Sequence, residues 1–411
     1  MRSPLLDLPG AVAGEGIDGD VAAHYGSLYG EQRVLASGEG FVDLSHRDVF
    51  RVSGPDRLTW LHSLTTQYFE GLEPGRWVDA LILSPQGHVE HAFAGVDDGE
   101  AFTAHTEPGA AEALIGYLDR MRFMMRVEVT DVTAEVAVAW RPRPEGGRVA
   151  AEEGARQAGR VAAEERAPQA GRVAAEEGSR EAGRVAAEER GGVSRPGRYD
   201  LVPRERLQAY AEAAGPPAGL WAFEALRIAR GEPRFGIDTD HRTIPNEVGW
   251  IDTAVHMDKG CYRGQETVAR VHNLGRPPRR LTLLHLDGSE NRLPEVGAPV
   301  VEAKAGRVAA EEGAPQAGRV AAEEGAPQAG RVAAEEGALE GGRVAAEERG
   351  GVSRPVGRVG SSARHHELGP IALALLKRNL PTDAQLEVSG LPAAQEVVVD
   401  PEVGLHFRPG R

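Results

Sequence analysis

The only cysteine of the chain, Cys261, lies within Lys259-Gly260-Cys261-Tyr262-Arg263-Gly264-Gln265-Glu266. A thiol flanked by Lys259 and Arg263 has a reason to ionise, and the thiolate is the form that attacks electrophiles and binds metals. Gly260 and Gly264 give the backbone freedom to turn sharply and approach a ligand. Residues 265–271 read as a helix start, which sets the thiol near the positive end of a helix.

A second group of chemistry-bearing side chains lies just upstream. Asp238 and Glu247 are carboxylates, Arg227 and Arg230 are cations, and Trp221 and Phe223 offer aromatic faces. Each also has an ordinary structural use. The two acids can pair with Arg234 or Arg242, Arg227 can be an ion-pair partner, and Trp221 falls on a helix whose apolar face must be buried. His365-His366 does not read as a metal site, because neighbours in extended chain point opposite ways.

The elements that hold these residues follow from hydrophobic spacing. Residues 41–44 and 49–52 read as strands, and Gly54-Pro55-Asp56 opens a helix that buries Trp60, Leu61 and Leu64. Strands at 80–83 and 89–96 flank the turn Ser84-Pro85-Gln86-Gly87. A strand at 101–104 is followed by a helix from Glu107-Pro108-Gly109, with Leu114, Leu118 and Met121 on one face. Strands at 127–129 and 135–140 complete an α+β pattern. Helices at 204–213 and 220–230 come next, the second closed by Gly231 and Pro233. Beyond residues 274–278 the texture changes to short strands at 281–286, 298–301, 371–376, 385–388 and 396–399, as in a small β-barrel.

Two tracts interrupt this order. The unit Gly-Arg-Val-Ala-Ala-Glu-Glu recurs every 12 residues from Gly147 and again from Gly306. Neither array contains Phe, Tyr, Trp, Ile, Met or Cys, so neither has apolar bulk to bury, and both are expected to be disordered. Excising them joins strand to strand, so both sit in surface connections, where added length costs little. The organisation expected is an α+β body at 1–146 and 198–275, a barrel at 276–305 and 358–411, and insertions at 147–197 and 306–357.

The formal net charge is −15. Residues 147–198 and 306–358 together hold 17 arginines and 18 glutamates, so the acidity belongs to the folded parts. Such a balance argues against a general grip on nucleic acid. One cysteine excludes an internal disulfide framework and suits a reducing compartment. No apolar signal core follows Met1-Arg2-Ser3-Pro4, and no run reaches membrane-spanning length, so a soluble cytoplasmic protein without membrane contact is expected.

The motif at residues 259–266 resembles the signature of the YgfZ branch of the YgfZ/GcvT folate-binding family. Residues 225–238, from Ala225-Leu226-Arg227 to Gly236-Ile237-Asp238, resemble the family's helix-and-loop block. Pro245-Asn246-Glu247 matches its Pro-x-Glu, and Gly369-Pro370-Ile371-Ala372-Leu373-Ala374 is similar to a barrel strand. The resemblance implies a GcvT-like body of ferredoxin-like α/β subdomains and a C-terminal β-barrel. It implies tetrahydrofolate or a derivative as ligand, and a role in assembly or repair of iron–sulfur proteins that indirectly supports tRNA modification. Cys261 and Lys259 would then be the reactive pair. Trp221, Phe223, Arg227, Asp238, Glu247, Tyr262, Gln265 and Glu266 would contact the folate. No resident metal is implied, and a cluster, which needs about four ligands, would have to be shared transiently with another chain. The alternative is a folate-dependent aminomethyltransferase of the glycine-cleavage type. That branch carries an Asn followed closely by an Asp near residues 103–111, where this chain reads Thr103-Ala104-His105-Thr106-Glu107-Pro108-Gly109.

Overall fold

In the computed structural model, residues 1–143, 197–303 and 354–402 are described. The two repeat arrays therefore lie outside the described residues. The chain opens with a 3-10 turn at Pro4–Asp7, strands β1 (Val12–Ala13) and β2 (Ala22–His24), and helix α1 (Leu28–Ala36). Strands β3 (Phe41–Asp43) and β4 (Asp48–Ser53) precede α2 (Arg57–Leu64). Then come β5 (Trp77–Leu83), β6 (Val89–Asp97), β7 (Ala101–Thr106), α3 (Ala111–Arg120), β8 (Glu128–Asp131) and β9 (Val136–Pro142). After the first array follow β10 (Gly197–Pro203), α4 (Leu207–Ala214), β11 (Pro217–Ala218), α5 (Leu220–Ala229), α6 (Ile251–Ala254) and α7 (Gln265–Leu274). The last strands are β12 (Arg279–Leu286), β13 (Pro299–Glu302), β14 (Gly357–His365), β15 (Gly369–Lys377), β16 (Leu386–Val388) and β17 (Leu391–Val397).

Three lobes result. In the first, a sheet of order β10-β9-β3-β11 packs one face on α1 and α5 through Val42, Val138, Trp140, Leu35, Phe223 and Leu226. Its other face receives Leu5, Leu207 and Ala214 against Phe41 and Ala137. In the second, the antiparallel sheet β5-β6-β7-β4-β8 packs on α2 and α3 around Phe50, Trp60, Phe69, Phe102, Leu114 and Leu118. In the third, β12-β15-β14-β13-β16-β17 close into a six-stranded barrel, which leaves no open sheet edge. Alternation along β12 and β15 puts Leu284, Ala372, Ala374 and Leu376 inside. The residues between them, Leu281, Leu283, Ile371 and Leu373, face Ala225 and Ile228 of α5. The chain passes from the first lobe to the second through Leu44-Ser45-His46-Arg47, between β3 and β4.

Several sequence expectations need correction. Met121 is not on the buried face of α3; it is the C-cap and is 42% exposed, because α3, which starts at Ala111 rather than at Glu107, ends at Arg120. The last barrel strand runs Leu391–Val397, earlier than residues 396–399, since its partner β16 turns directly into it with Val388 opposite Leu391. His365 is buried at the end of β14, and its ring lies 4.6 Å from that of His366. The chain turns immediately after β14, so the alternation expected of extended residues does not apply there.

Candidate functional site

The richest polar environment is the junction where the lobes meet. Arg234, in the loop after α5, bonds Asp18 through both terminal nitrogens at 3.0 and 2.7 Å and Glu107 through Nε at 2.7 Å. His46 Nε2 stands 3.1 Å from the same Asp18. Burial alone would raise Asp18, but its bonds with His46 and Arg234 outweigh that and hold it well below the usual carboxylate range. Arg227, on the buried face of α5, bonds Glu224 and the Asp238 carboxylate, the latter at 3.0 Å. Burial opposes the charge on Arg227, yet Glu224 and Asp238 reverse the balance and raise its pKa. Asp238 also accepts 2.7 Å bonds from Ser361 N and Oγ of β14, which ties the barrel to the body. Gly360 is required at that contact, because a Cβ there would lie 2.1 Å from Asp238 Oδ1.

Arg47 enters this junction from the β3–β4 connection. Its Nη1 lies 3.3 Å from His105 Nδ1, and its guanidinium stands 5.7 Å from the Tyr199 ring centre and 6.0 Å from that of Phe223. His105, Tyr199 and Trp77 form an aromatic group with centroid separations of 4.4, 5.5 and 5.9 Å. Trp77 and Tyr199 are also walls of a cleft of about 560 Å³ between the edge strands β5 and β10, which continues past Asp200 and Leu201 to Arg206 and Tyr210. Ser45 Oγ, His46 Nδ1 and Arg47 Nε are buried without a hydrogen-bond partner among the described residues. Buried polar atoms are normally satisfied, so such a group is suited to water or a polar ligand. A flat heteroaromatic molecule with an anionic tail matches this set. The rings give it faces, Arg206 gives a cation on the cleft wall and Arg47 one behind the rings, while Asp200 is already bonded to Tyr210 Oη at 2.8 Å and paired with Arg198 at 3.3 Å.

The cysteine loop is a separate arrangement. Gly264 has φ +82° and starts α7, and a Cβ on it would meet Ser84 O at 2.6 Å and Gly87 Cα at 2.9 Å. The loop therefore docks on the β5–β6 turn through paired glycines. Tyr262 is buried with Leu81, Leu83, Val89 and Val268, and burial pushes its hydroxyl up to about 12. Lys259 donates to the carbonyl oxygens of His62, Thr65 and Gln67, at the C-terminal end of α2, and burial pulls it down to about 8. Arg263 bonds Glu90 at 2.9 Å and covers Tyr117. Cys261 itself is exposed. The charges flanking it in sequence are thus engaged elsewhere, which removes the simple argument that they ionise the thiol. Gly260 has open space where a Cβ would go, so only Gly264 of the two glycines is sterically required.

Of the residues singled out from sequence, Phe223, Arg227 and Asp238 come together at the junction. Glu247 instead accepts from Arg279 at 2.8 Å and from Ile244 N, at the base of the barrel. The acids pair with Arg227 and Arg279 rather than with the side chains of Arg234 or Arg242, although the backbone N of Arg234 does donate to Asp238. Trp221 is 48% exposed beside His24, so it is not core. It is two residues from Phe223 on α5, on the opposite side of the helix. Arg230 pairs with Glu232 at the surface, Gln265 Nε2 reaches Lys259 O at 3.4 Å, and Glu266 pairs with Arg270. Trp77, His105, Tyr199 and Arg47 were not singled out. The available signal was the polar run Ser45-His46-Arg47-Asp48 between two apolar strands, a pattern that an ordinary solvated turn also produces.

Known proteins with this architecture bear on the site. No family model matches the chain. A chloroplastic transferase of Arabidopsis thaliana is 26% identical over 251 residues, which cover 60% of this chain and 56% of that one. An aminomethyltransferase of Nitrosococcus oceani is 24% identical over 56% of this chain and 62% of its own length. One from Rubrobacter xylanophilus is 26% identical over 67% and 73%. The chain thus spans less than two thirds of the first two relatives. The glycine cleavage system aminomethyltransferase T from Bartonella henselae superposes with a TM-score of 0.63 at 15% identity, covering 97% of both chains. The chain has the GcvT-like aminomethyltransferase fold. Among the described residues no helix is long and apolar enough to cross a membrane, and no group of His, Cys, Asp or Glu is arranged to hold a metal ion.

Proposed function

We propose that the protein binds tetrahydrofolate or a derivative at the lobe junction and serves iron–sulfur cluster assembly or repair in the cytoplasm, with Cys261 as the thiol that meets the partner. The observation that carries the folate reading is the Trp77–His105–Tyr199 group facing Arg47 beside unsatisfied buried polar atoms. Calorimetry with tetrahydrofolate tests it. Binding by the full chain should weaken at least about tenfold in Tyr199→Ala and Arg47→Ala. No heat at millimolar ligand would overturn it.

An accessory role is favoured over aminomethyl transfer by the state of Glu107. It is the acid nearest the segment where the transferase branch carries its aspartate, and here it is bonded to Arg234 with Arg47 3.5 Å away. Both of its oxygens face guanidiniums, Oε2 that of Arg234 and Oε1 that of Arg47, so neither is directed at a substrate. In cells lacking the endogenous gene, Cys261→Ser should lose iron–sulfur enzyme activity while keeping the wild-type melting temperature. Full restoration by that variant would remove the thiol from the proposal.

A further inference from the structure

The cleft beside Trp77 follows the edge of β10, whose residues Tyr199 to Pro203 line it for about 13 Å. β10 is the outermost strand of its sheet and pairs with β9 alone. Bonded and non-bonded residue pairs alternate along an antiparallel ladder. Leu44 N donates to Val138 O at 2.9 Å, so Val138 directs its backbone groups to β3. Leu201, opposite Val138 on the other side, therefore turns its N–H and C=O away from β9 to the open edge. Arg204 N donates to Glu135 O at 2.8 Å, three residues further on, which fixes the same phase. No hydrogen bond to Leu201 N or O is formed among the described residues. Pro203, next along that edge, has no N–H, and Pro is tolerated in a strand where the missing donor would face outward. Arg206 follows on the same wall; it is exposed and makes no ion pair among the described residues.

We propose that the β10 edge and Arg206 read the first glutamyl residue of the folate tail, and that the site does not select for longer polyglutamate. This deepens the folate reading and rests on it. With the ring system against Trp77 and Tyr199, the tail runs along β10, and its benzoyl–glutamyl amide meets Leu201. That amide carries one N–H and one C=O, the complement of what Leu201 presents. The carboxylates beyond it reach Arg206, where a charge-assisted bond forms. Asp200, the acid of the same wall, does not repel them strongly, because it is engaged with Tyr210 and Arg198. Each further glutamyl residue adds a carboxylate but meets no second cation among the described residues of the wall. Glu205 is exposed beside Arg206, and the chain as a whole carries −15, so longer tails gain nothing. A strand of a partner protein suits this edge less well, since its ladder would break at Pro203.

The test is calorimetry of the full chain with tetrahydropteroate, which lacks the glutamyl residue, monoglutamyl tetrahydrofolate and a polyglutamyl form. Tetrahydropteroate should bind at least about tenfold more weakly than the monoglutamate, and the polyglutamate no tighter than the monoglutamate. In Arg206→Ala the difference between tetrahydropteroate and the monoglutamate should disappear, and Arg206→Lys should restore part of it. Leu201→Pro deletes an N–H that faces away from β9, so the strand should keep its melting temperature while monoglutamate binding weakens. Leu201→Ala controls for the side chain and should bind as the wild type does. Equal affinity for tetrahydropteroate and the monoglutamate overturns the proposal, as does a tighter polyglutamate or unchanged discrimination in Arg206→Ala. If Leu201→Pro melts early, the Arg206 comparison decides alone. Full folate binding by Leu201→Pro together with lost complementation would assign the edge to a partner's strand and overturn the proposal too. Absence of binding by all three ligands overturns the underlying folate reading instead.

Discussion

Lys259 holds three carbonyl oxygens at the end of α2, so its removal is first a structural event. Lys259→Met should cost about 2–4 kcal/mol in urea unfolding, because each buried acceptor left unpaired costs about 1–3 kcal/mol. A normal midpoint would show that the ammonium is free for chemistry. His91 gives a pH signature from the same neighbourhood. Burial first, then Arg120 and Arg263, pull it down to about 4. The unfolded chain takes up a proton near pH 6.5, whereas the folded one resists until about 4. Stability should therefore fall as pH drops from 6.5 to 4, by about 3 kcal/mol, and His91→Leu should flatten that slope in chemical denaturation. The cysteine motif was legible in the sequence, but its electrostatics were not. Lys259 and Arg263 are neighbours of Cys261 in the chain, and the fold directs both side chains elsewhere.

At the level of elements, the joint between the cysteine loop and the β5–β6 turn depends on one glycine. Gly264→Ala should destabilise by about 2–3 kcal/mol, since the new Cβ meets backbone and the residue is left-handed. Gly260→Ala should be neutral, because nothing lies within 4 Å of its Cβ position. Equal effects in thermal melts would refute this asymmetry. Strands were legible wherever apolar alternation was strong, as in β5 to β7 and β12. Ends were harder to place: α3 starts two residues after the Pro-Gly signal, and β17 follows its partner's turn rather than its own hydrophobic run.

For the molecule as a whole, Asp238 connects three bodies: α5 through Arg227, the following loop through Arg234 N, and the barrel through Ser361. Asp238→Asn leaves Arg227 less compensated in a buried site, so a loss of about 3–5 kcal/mol is expected. Limited proteolysis should then release the barrel at lower temperature; unchanged cleavage would show that the apolar contact with α5 suffices. This junction was hard to read from sequence because its members are distant in the chain. Asp18 and Arg234 are 216 positions apart, and no periodicity reports such a meeting. The barrel and the lobes are products of local pattern, whereas the site belongs to their assembly.

The repeat arrays enter and leave the fold where two strand ends are already side by side. Pro142 is opposite Gly197 across β9 and β10, and Val300 is opposite Gly357 across β13 and β14. Because the ladders set those distances, a gain or loss of one 12-residue unit changes nothing that the strands must satisfy. Strand pairing thus sets no copy number at either site. The same two ports would accept a fluorescent reporter or an affinity tag without disturbing the thiol, the cleft or the barrel.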